Sequence, residues 1–186
     1  MRPVLDGFEP KLQEAMNITI IGTGYVGLVT GTCFAEVGHQ VICVDNNPEK
    51  VALLRSGGMP IFEPGLQEMV EKNVTQGRLS FTESTKEGVE NSDVVFIAVP
   101  TPPTVDGAVD LSFIEKVARE IAASMTSYKI VVDKSTVPVK TGEKVGETIK
   151  RYCKAKVDFD DRSAQVLADA NDNPNGSALL RQLGLA

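Results

Sequence analysis

A glycine-rich segment near the start of the sequence joins a strand-like apolar run to a helix-like one. Its pattern is G-x-G-x-x-G, with glycines at Gly22, Gly24 and Gly27. In such a segment the first glycine permits a tight turn and the second lets a pyrophosphate approach the backbone. The third allows the helix to pack closely on the strand. Free N–H groups in the first turn of the helix can then bind the anion, so the segment predicts a dinucleotide site.

An acidic residue, Asp45, ends the next strand-like run, QVICVD at residues 40–45. It follows Gly27 by 18 residues. That is close to the spacing of about 20 at which such a carboxylate reaches the ribose hydroxyls of adenosine. Because a carboxylate repels a 2′-phosphate, the pattern predicts NAD rather than NADP as the cofactor. The alternative is a glycine turn that binds nothing, or only a mononucleotide.

Strand-like and helix-like patterns alternate from residue 17 to about residue 155. The continuous apolar run DVVFIAV, residues 93–99, is typical of a central parallel strand covered on both faces. We therefore expect an α/β fold of the Rossmann type, a doubly wound parallel sheet with strand order 3-2-1-4-5. Strands are predicted at 17–22, 40–45, 79–81, 93–99 and 129–135. Helices are predicted at about 26–37, 48–55, 65–75, 84–90 and 139–152, with another beginning near Asp110 or Ser112.

The ends of the fourth and fifth strands are also candidate ligand contacts. In open α/β sheets, ligands lie outside the carboxyl ends of the strands, where the strand order reverses. Residues 99–102 and 135–137 are therefore expected beside the nicotinamide half of the cofactor. Thr136 offers a hydroxyl that can donate and accept. An alternative is that Ser135 and Thr136 only cap a helix beginning near Pro138.

Composition and single residues narrow the function classes. The net charge of -6 disfavours a nucleic-acid partner, and no apolar run reaches the ~18 residues of a membrane span. Three cysteines without metal-ligand spacing predict reduced thiols in a cytoplasmic protein, and no metal site. Cys33 and Cys43 are predicted to be buried small hydrophobic residues. His39, the single histidine, is predicted to be a solvated surface residue.

Further motifs go beyond a generic dinucleotide fold. They are GTGYVG (22–27), D-x-N-P (45–48), GGMPIFEPGL (57–66), FIAVPTPP (96–103) and DKSTVPVKTG (133–142). In order and spacing, over residue 16 to about 158, they resemble the UDP-glucose/GDP-mannose dehydrogenase family. The PIFEPGL form is most similar to members that act on UDP-glucose. Members that act on GDP-mannose or UDP-N-acetyl sugars stay as alternatives, as does a non-catalytic NAD-binding module.

The resemblance implies a chemistry and a set of site residues. Family enzymes use NAD to oxidise the C6 alcohol of a nucleotide sugar to a carboxylate, in two steps through a cysteine-bound thiohemiacetal. The resemblance assigns Thr136 a catalytic role, positioning a water or the reacting oxygen. It assigns Thr101 to the cofactor, although a plain strand-end turn explains Thr101 equally well. The predicted cofactor-binding residues are Gly22, Gly24, Tyr25, Val26, Gly27, Asp45, Val99, Pro100, Thr101, Pro102, Ser135, Thr136 and Val137.

The two ends of the sequence depart from this pattern. Residues 1–15 are expected to be a poorly ordered N-terminal extension, and residues 159–186 a tail of two short helices or disorder that does not match the family. We expect the sixth strand and the domain with the nucleophilic cysteine to be lost. The chain alone is then expected to be inactive. The unpaired edge of the fifth strand favours self-association, so a homo-oligomer is a further expectation.

Overall fold

A computed structural model describes residues 15–155 of the chain. The expectations for residues 1–14 and 159–186 lie outside that range. In chain order the elements are β1 (Asn17–Ile21), α1 (Tyr25–Glu36), β2 (Gln40–Val44), α2 (Pro48–Arg55), α3 (Leu66–Thr75), β3 (Leu79–Thr82), α4 (Thr85–Glu90), β4 (Val94–Ile97), α5 (Ser112–Ser124), β5 (Ile130–Asp133) and α6 (Thr141–Tyr152).

The five strands form one parallel sheet in the order β3-β2-β1-β4-β5, which confirms the predicted doubly wound α/β fold. β1 lies at its centre, where Ile20 is paired with Cys43 on one side and Phe96 on the other. Two separate clusters of buried apolar side chains pack with the sheet. A sheet buried on both faces needs continuous apolar strands, and the fully buried β4 (VVFI) has such a sequence.

Helix α1 packs on the sheet through a face that only partly matches the predicted one. The apolar spacing predicts a buried stripe of Val26, Val29, Cys33, Phe34 and Val37. Phe34 is buried and Val29 packs against the core, but Cys33 is exposed and Val26 and Val37 are 48% and 60% exposed. The helix approaches the sheet through small residues instead. A Cβ added at Gly31 would lie 2.7 Å from the Sγ of Cys43. Apolar residues surround this helix, so their spacing alone does not identify the face that packs.

Two other single-residue predictions had opposite outcomes. Cys43 is buried as predicted, and burial raises the pKa of its thiol to about 12. His39 is not a surface residue, since only 3% of it is exposed. Its Nδ1 accepts a hydrogen bond from the Met16 amide at 3.2 Å, and its ring packs edge-on against Phe34. The ring completes the core beneath the α1–β2 turn, which explains why a polar residue at a turn is buried.

No helix within residues 15–155 is long and apolar enough to cross a membrane.

Candidate functional site

A cleft of about 400 Å³ opens at the carboxyl ends of the strands, where the chain order reverses between β1 and β4. This is the location that an open α/β sheet favours for a ligand. Most of the predicted site residues line it, namely Gly22, Gly24, Tyr25, Val26, Asp45, Val99, Pro100, Thr101, Ser135 and Thr136. Gly27, Pro102 and Val137 are not among the lining residues.

The three glycines of the glycine-rich loop serve different purposes. A Cβ at Gly22 would lie 2.4 Å from the Ala98 carbonyl oxygen, and one at Gly27 would lie 1.8 Å from the Gly22 carbonyl oxygen. Both positions therefore need glycine for packing within the protein. Gly24 differs, because a Cβ there would meet no atom within 4 Å. Its missing side chain leaves open space beside the cleft, as a bound pyrophosphate would require.

The amino end of α1 faces this space with free amide groups. The first helical hydrogen bond runs from the Leu28 amide to the Gly24 carbonyl oxygen at 2.9 Å. The amides of the first turn consequently have no acceptor within the helix. Gly24 is the N-cap residue and contributes no side-chain cap. Unpaired amides and the positive end of the helix dipole make an anion site, so these residues fit the pyrophosphate of a dinucleotide.

The Asp45 carboxylate is already held by its neighbours. Its Oδ2 accepts from the Thr23 amide at 3.0 Å, the Thr23 hydroxyl at 2.6 Å and the Lys50 Nζ at 2.8 Å. Its Oδ1 accepts from the Asn47 amide at 3.0 Å. Burial by itself raises the pKa of Asp45, but the hydrogen bonds from Lys50, Thr23 and Asn47 outweigh it, so the pKa is lowered. The group is an oriented, ionised acceptor at the end of β2.

Lys50 is a site residue that the sequence reasoning missed. Asn47 caps α2 by accepting from the amides of Glu49 and Lys50, and Pro48 occupies the first turn. The helix therefore starts immediately after β2, and its first turn directs Lys50 back to Asp45. The sequence carries a signal for this contact, because Lys50 follows Asp45 by five residues and comes just after Asn47-Pro48, a pair typical of a helix start.

Tyr25 connects the glycine-rich loop to another of the sequence motifs. Its hydroxyl donates to the Phe62 carbonyl oxygen at 2.7 Å. Phe62 belongs to the PIFEPGL segment, in which Gly65 adopts a left-handed conformation (φ 78°) just before α3. Glu63 in the same segment is exposed. The contact joins two segments that are 37 residues apart in the sequence.

The loops after β4 and β5 are also joined to each other at the cleft. The Thr101 hydroxyl donates to the Thr136 carbonyl oxygen at 2.9 Å, and the Ser135 hydroxyl donates to the Val99 carbonyl oxygen at 3.1 Å. Within residues 15–155 the Thr136 hydroxyl has no hydrogen-bond partner. The two loops thus form one surface, on which Thr136 lines the cleft.

The alternative that Ser135 and Thr136 only cap the following helix is wrong. α6 begins at Thr141, and its N-cap residue is Lys140, which has a φ of 72° and makes no side-chain cap. The Ser135 amide instead donates to Asp133 Oδ1 at 2.9 Å. These hydroxyls therefore belong to the surface of the cleft and not to a helix start.

The remaining wall of the cleft is formed by α4 and α5. Thr85 comes from the first turn of α4, and Phe113, Lys116, Val117 and Glu120 come from α5. The spacing of Phe113, Ile114, Val117, Ala118 and Ile121 in the sequence predicts one buried helix face. The last four are buried, but Phe113 is 42% exposed and borders the cleft. No motif had pointed to this wall, because its residues come from two helices that are distant in sequence.

The family model that describes the NAD-binding domain of UDP-glucose/GDP-mannose dehydrogenases matches residues 16–171. The chain belongs to this family. Its cofactor is accordingly NAD, as the glycine-rich loop and Asp45 predicted.

Individual family members agree with this assignment. The chain is 54% identical to the UDP-glucose 6-dehydrogenase of Rhizobium meliloti over 136 residues, which is 73% of the chain and 31% of that protein. Among solved structures, a ternary complex of GDP-mannose dehydrogenase from Pseudomonas aeruginosa gives a TM-score of 0.72 at 40% identity, covering 74% of this chain and 33% of the other. A UDP-glucose dehydrogenase from Pyrobaculum islandicum gives a TM-score of 0.80 at 33% identity, covering 97% and 46%.

The chain spans less than a third of the length of three UDP-glucose 6-dehydrogenases that it matches. The parallel sheet and the family match confirm the predicted fold and NAD as the cofactor. The reaction and the roles of the individual site residues stay predictions.

Proposed function

We propose that this chain is the cofactor-binding part of an enzyme that oxidises UDP-glucose. The observation that carries the proposal is the cleft in which the free amides of α1, the open space at Gly24 and the Asp45 carboxylate meet. UDP-glucose is favoured as the substrate because three relatives named UDP-glucose 6-dehydrogenase are 54%, 46% and 51% identical. The GDP-mannose 6-dehydrogenase of Pseudomonas aeruginosa is 41% identical.

Each end of the cleft has a distinct proposed task. The first turn of α1 holds the pyrophosphate, and Asp45 accepts from the ribose hydroxyls of the adenosine. The joined loops that carry Thr101 and Thr136 hold the nicotinamide half. NAD, when bound, supplies the acceptor for hydride. The Thr136 hydroxyl, which can both donate and accept, orients a water or the reacting oxygen of the sugar.

The covalent part of the reaction needs a thiol that this cleft does not contain. Cys33 is exposed on α1, Cys43 is buried with a raised pKa, and Cys153 lies at the end of α6. None of these three lines the cleft. A thiolate must lie beside the reacting carbon to attack it, so we propose that the chain by itself binds NAD without turning over a nucleotide sugar. Unpaired cysteines also fit a reducing, cytoplasmic location.

Calorimetry on the 186-residue chain tests the cofactor part of this proposal. NAD should bind saturably, NADP more weakly, and Asp45→Asn should weaken the binding of NAD. Folded chain that binds neither dinucleotide would contradict it. Adding UDP-glucose, GDP-mannose or a UDP-N-acetyl sugar to the NAD complex tests the substrate, and preferential binding of GDP-mannose would overturn the assignment to UDP-glucose.

Turnover tests the rest of the proposal. Mixing the chain with NAD and UDP-glucose should produce no NADH absorbance above that of a blank. Steady NADH formation would contradict the view that a thiol from outside the cleft is required. Absence of any nucleotide-sugar binding, together with tight NAD binding, would favour a non-catalytic NAD-binding module.

A further inference from the structure

The α4–α5 wall of the cleft carries a polar contact that the proposed function does not use. The Thr85 hydroxyl donates to Glu120 Oε2 at 2.8 Å, joining residues that are 35 positions apart. Both residues are half-buried and both line the cleft. Thr85 is the first residue of α4, and Glu120 lies in the second half of α5. The contact therefore orients a carboxylate toward the cleft.

The adenine of a bound dinucleotide belongs at this wall. If Asp45 holds the adenosine ribose and the amino end of α1 holds the pyrophosphate, the base lies on the far side of the ribose from the pyrophosphate. Among the cleft residues without a proposed task, those of α4 and α5 form one wall, which includes Phe113, Lys116 and Val117. Apolar side chains of this kind suit the faces of a planar base, whereas its edge needs polar partners. This step rests on the proposed placement of the adenosine.

A carboxylate beside the edge of a base discriminates between purines. An ionised glutamate only accepts hydrogen bonds, and Thr85 occupies one of the Glu120 oxygens. Adenine carries an amino donor at C6. A carboxylate oxygen that faces C6 accepts a hydrogen bond from this group and loses it when the purine has only hydrogen there. We propose that Glu120 is a specificity-determining residue that accepts from the adenine amino group, and that Thr85 is the positioning residue that holds it.

Two dinucleotides that differ only in the amino group at C6 of the purine test this proposal. Calorimetry on the full chain compares NAD with nicotinamide purine dinucleotide, in which hydrogen replaces the amino group and N1 stays an acceptor. The wild-type chain should bind NAD about tenfold more tightly, the usual size of one hydrogen-bond discrimination at a half-buried site. Glu120→Leu should bring the two affinities to within about twofold, because an apolar side chain cannot accept from the amino group.

Two more substitutions separate recognition of the base from stabilisation of the helix pair. Thr85→Val removes the positioning hydroxyl but leaves the carboxylate, so it should reduce the preference for NAD without abolishing it. Thr85→Ser keeps a hydroxyl and should restore the preference. Glu115 serves as the matched control, since it lies on the same helix and pairs with Arg119 away from the cleft. Glu115→Leu should leave the ratio of the two affinities unchanged, because only a group that contacts the base can alter that ratio.

The outcomes distinguish this inference from the proposed function. Equal wild-type affinities for the two dinucleotides, or a preference for NAD that survives Glu120→Leu, would overturn the role of Glu120 while NAD binding that depends on Asp45 stands. If neither dinucleotide binds to folded wild-type chain, the proposed cofactor site fails and this inference fails with it. Circular dichroism on each variant checks that the fold is intact, and the Thr85 pair supplies a second test that leaves Glu120 in place.

Discussion

Lys50 Nζ lies 2.8 Å from Asp45 Oδ2, so the carboxylate that ends β2 has a cationic partner in the absence of any cofactor. Thr23 binds the same oxygen from the glycine-rich loop. Asp45 therefore has a structural task, since it ties the loop to the start of α2, as well as its proposed task at the ribose. A substitution that removes all of its acceptors would disturb both, and asparagine is the better probe because it keeps one carbonyl oxygen.

Asp45→Asn should lower stability in a pH-dependent way. Because the pKa of Asp45 is lowered in the folded chain, its ionised form contributes stability above its ordinary pKa of about 3.9, and this is lost as pH falls through the lowered value. We expect the variant to lose about 1–2 kcal/mol of the free energy of unfolding at pH 7. Urea denaturation at pH 7 and below pH 4 measures this. A difference from wild type that does not shrink in acid would contradict the assignment.

Gly24→Ala should weaken NAD binding with little change in stability, whereas Gly27→Ala should lower the stability of the fold. Alanine at Gly24 meets no atom within 4 Å at an ordinary φ of -76°, so stability should change by less than about 0.5 kcal/mol while NAD affinity falls. Alanine at Gly27 would lie 1.8 Å from the Gly22 carbonyl oxygen and should cost about 3 kcal/mol or more. Thermal denaturation and NAD calorimetry on both variants check this. Unchanged NAD affinity in Gly24→Ala would argue against a pyrophosphate at that position.

Thr101→Val should loosen the surface formed by the two strand-end loops. It removes the hydrogen bond from the Thr101 hydroxyl to the Thr136 carbonyl oxygen while keeping a side chain of similar shape. We expect a loss of roughly 1 kcal/mol in the free energy of unfolding and weaker NAD binding. Thr101→Ser keeps the hydroxyl and is the control. Wild-type stability in Thr101→Val would show that the link between the loops contributes nothing.

Asp133→Asn should change stability in the opposite sense to Asp45→Asn. Burial raises the pKa of Asp133, the hydrogen bonds from Ser135 do not offset it, and Oδ2 has no partner within residues 15–155. The ionised form costs stability, so wild-type stability falls as pH rises from about 3.9 through the raised value. The variant should gain roughly 1 kcal/mol at pH 7 and lose that advantage in acid. Urea denaturation of wild type and variant at pH 7 and below pH 4 measures this difference. Lower stability of the variant at pH 7 would refute the prediction.

The order of the elements and the position of the cleft could be predicted because they depend on local patterns. The glycine-rich loop, Asp45 at a strand end and the apolar run of β4 each carry their meaning within a few residues. Predictions failed where one helix is apolar on several sides or where a turn is buried. Cys33 was assigned to the wrong face of α1 for the first reason, and His39 was assigned to the surface for the second.

The sequence by itself determined the α/β fold, the strand order, the family and NAD as the cofactor, since periodicity and short motifs encode local geometry. Only the tertiary structure decided which groups share the cleft. Lys50 reaches Asp45 because α2 starts at once after β2, and Thr85 meets Glu120 because α4 and α5 pack on the same face of the sheet. Such contacts depend on the packing of elements that are distant in sequence, and no local pattern records that packing.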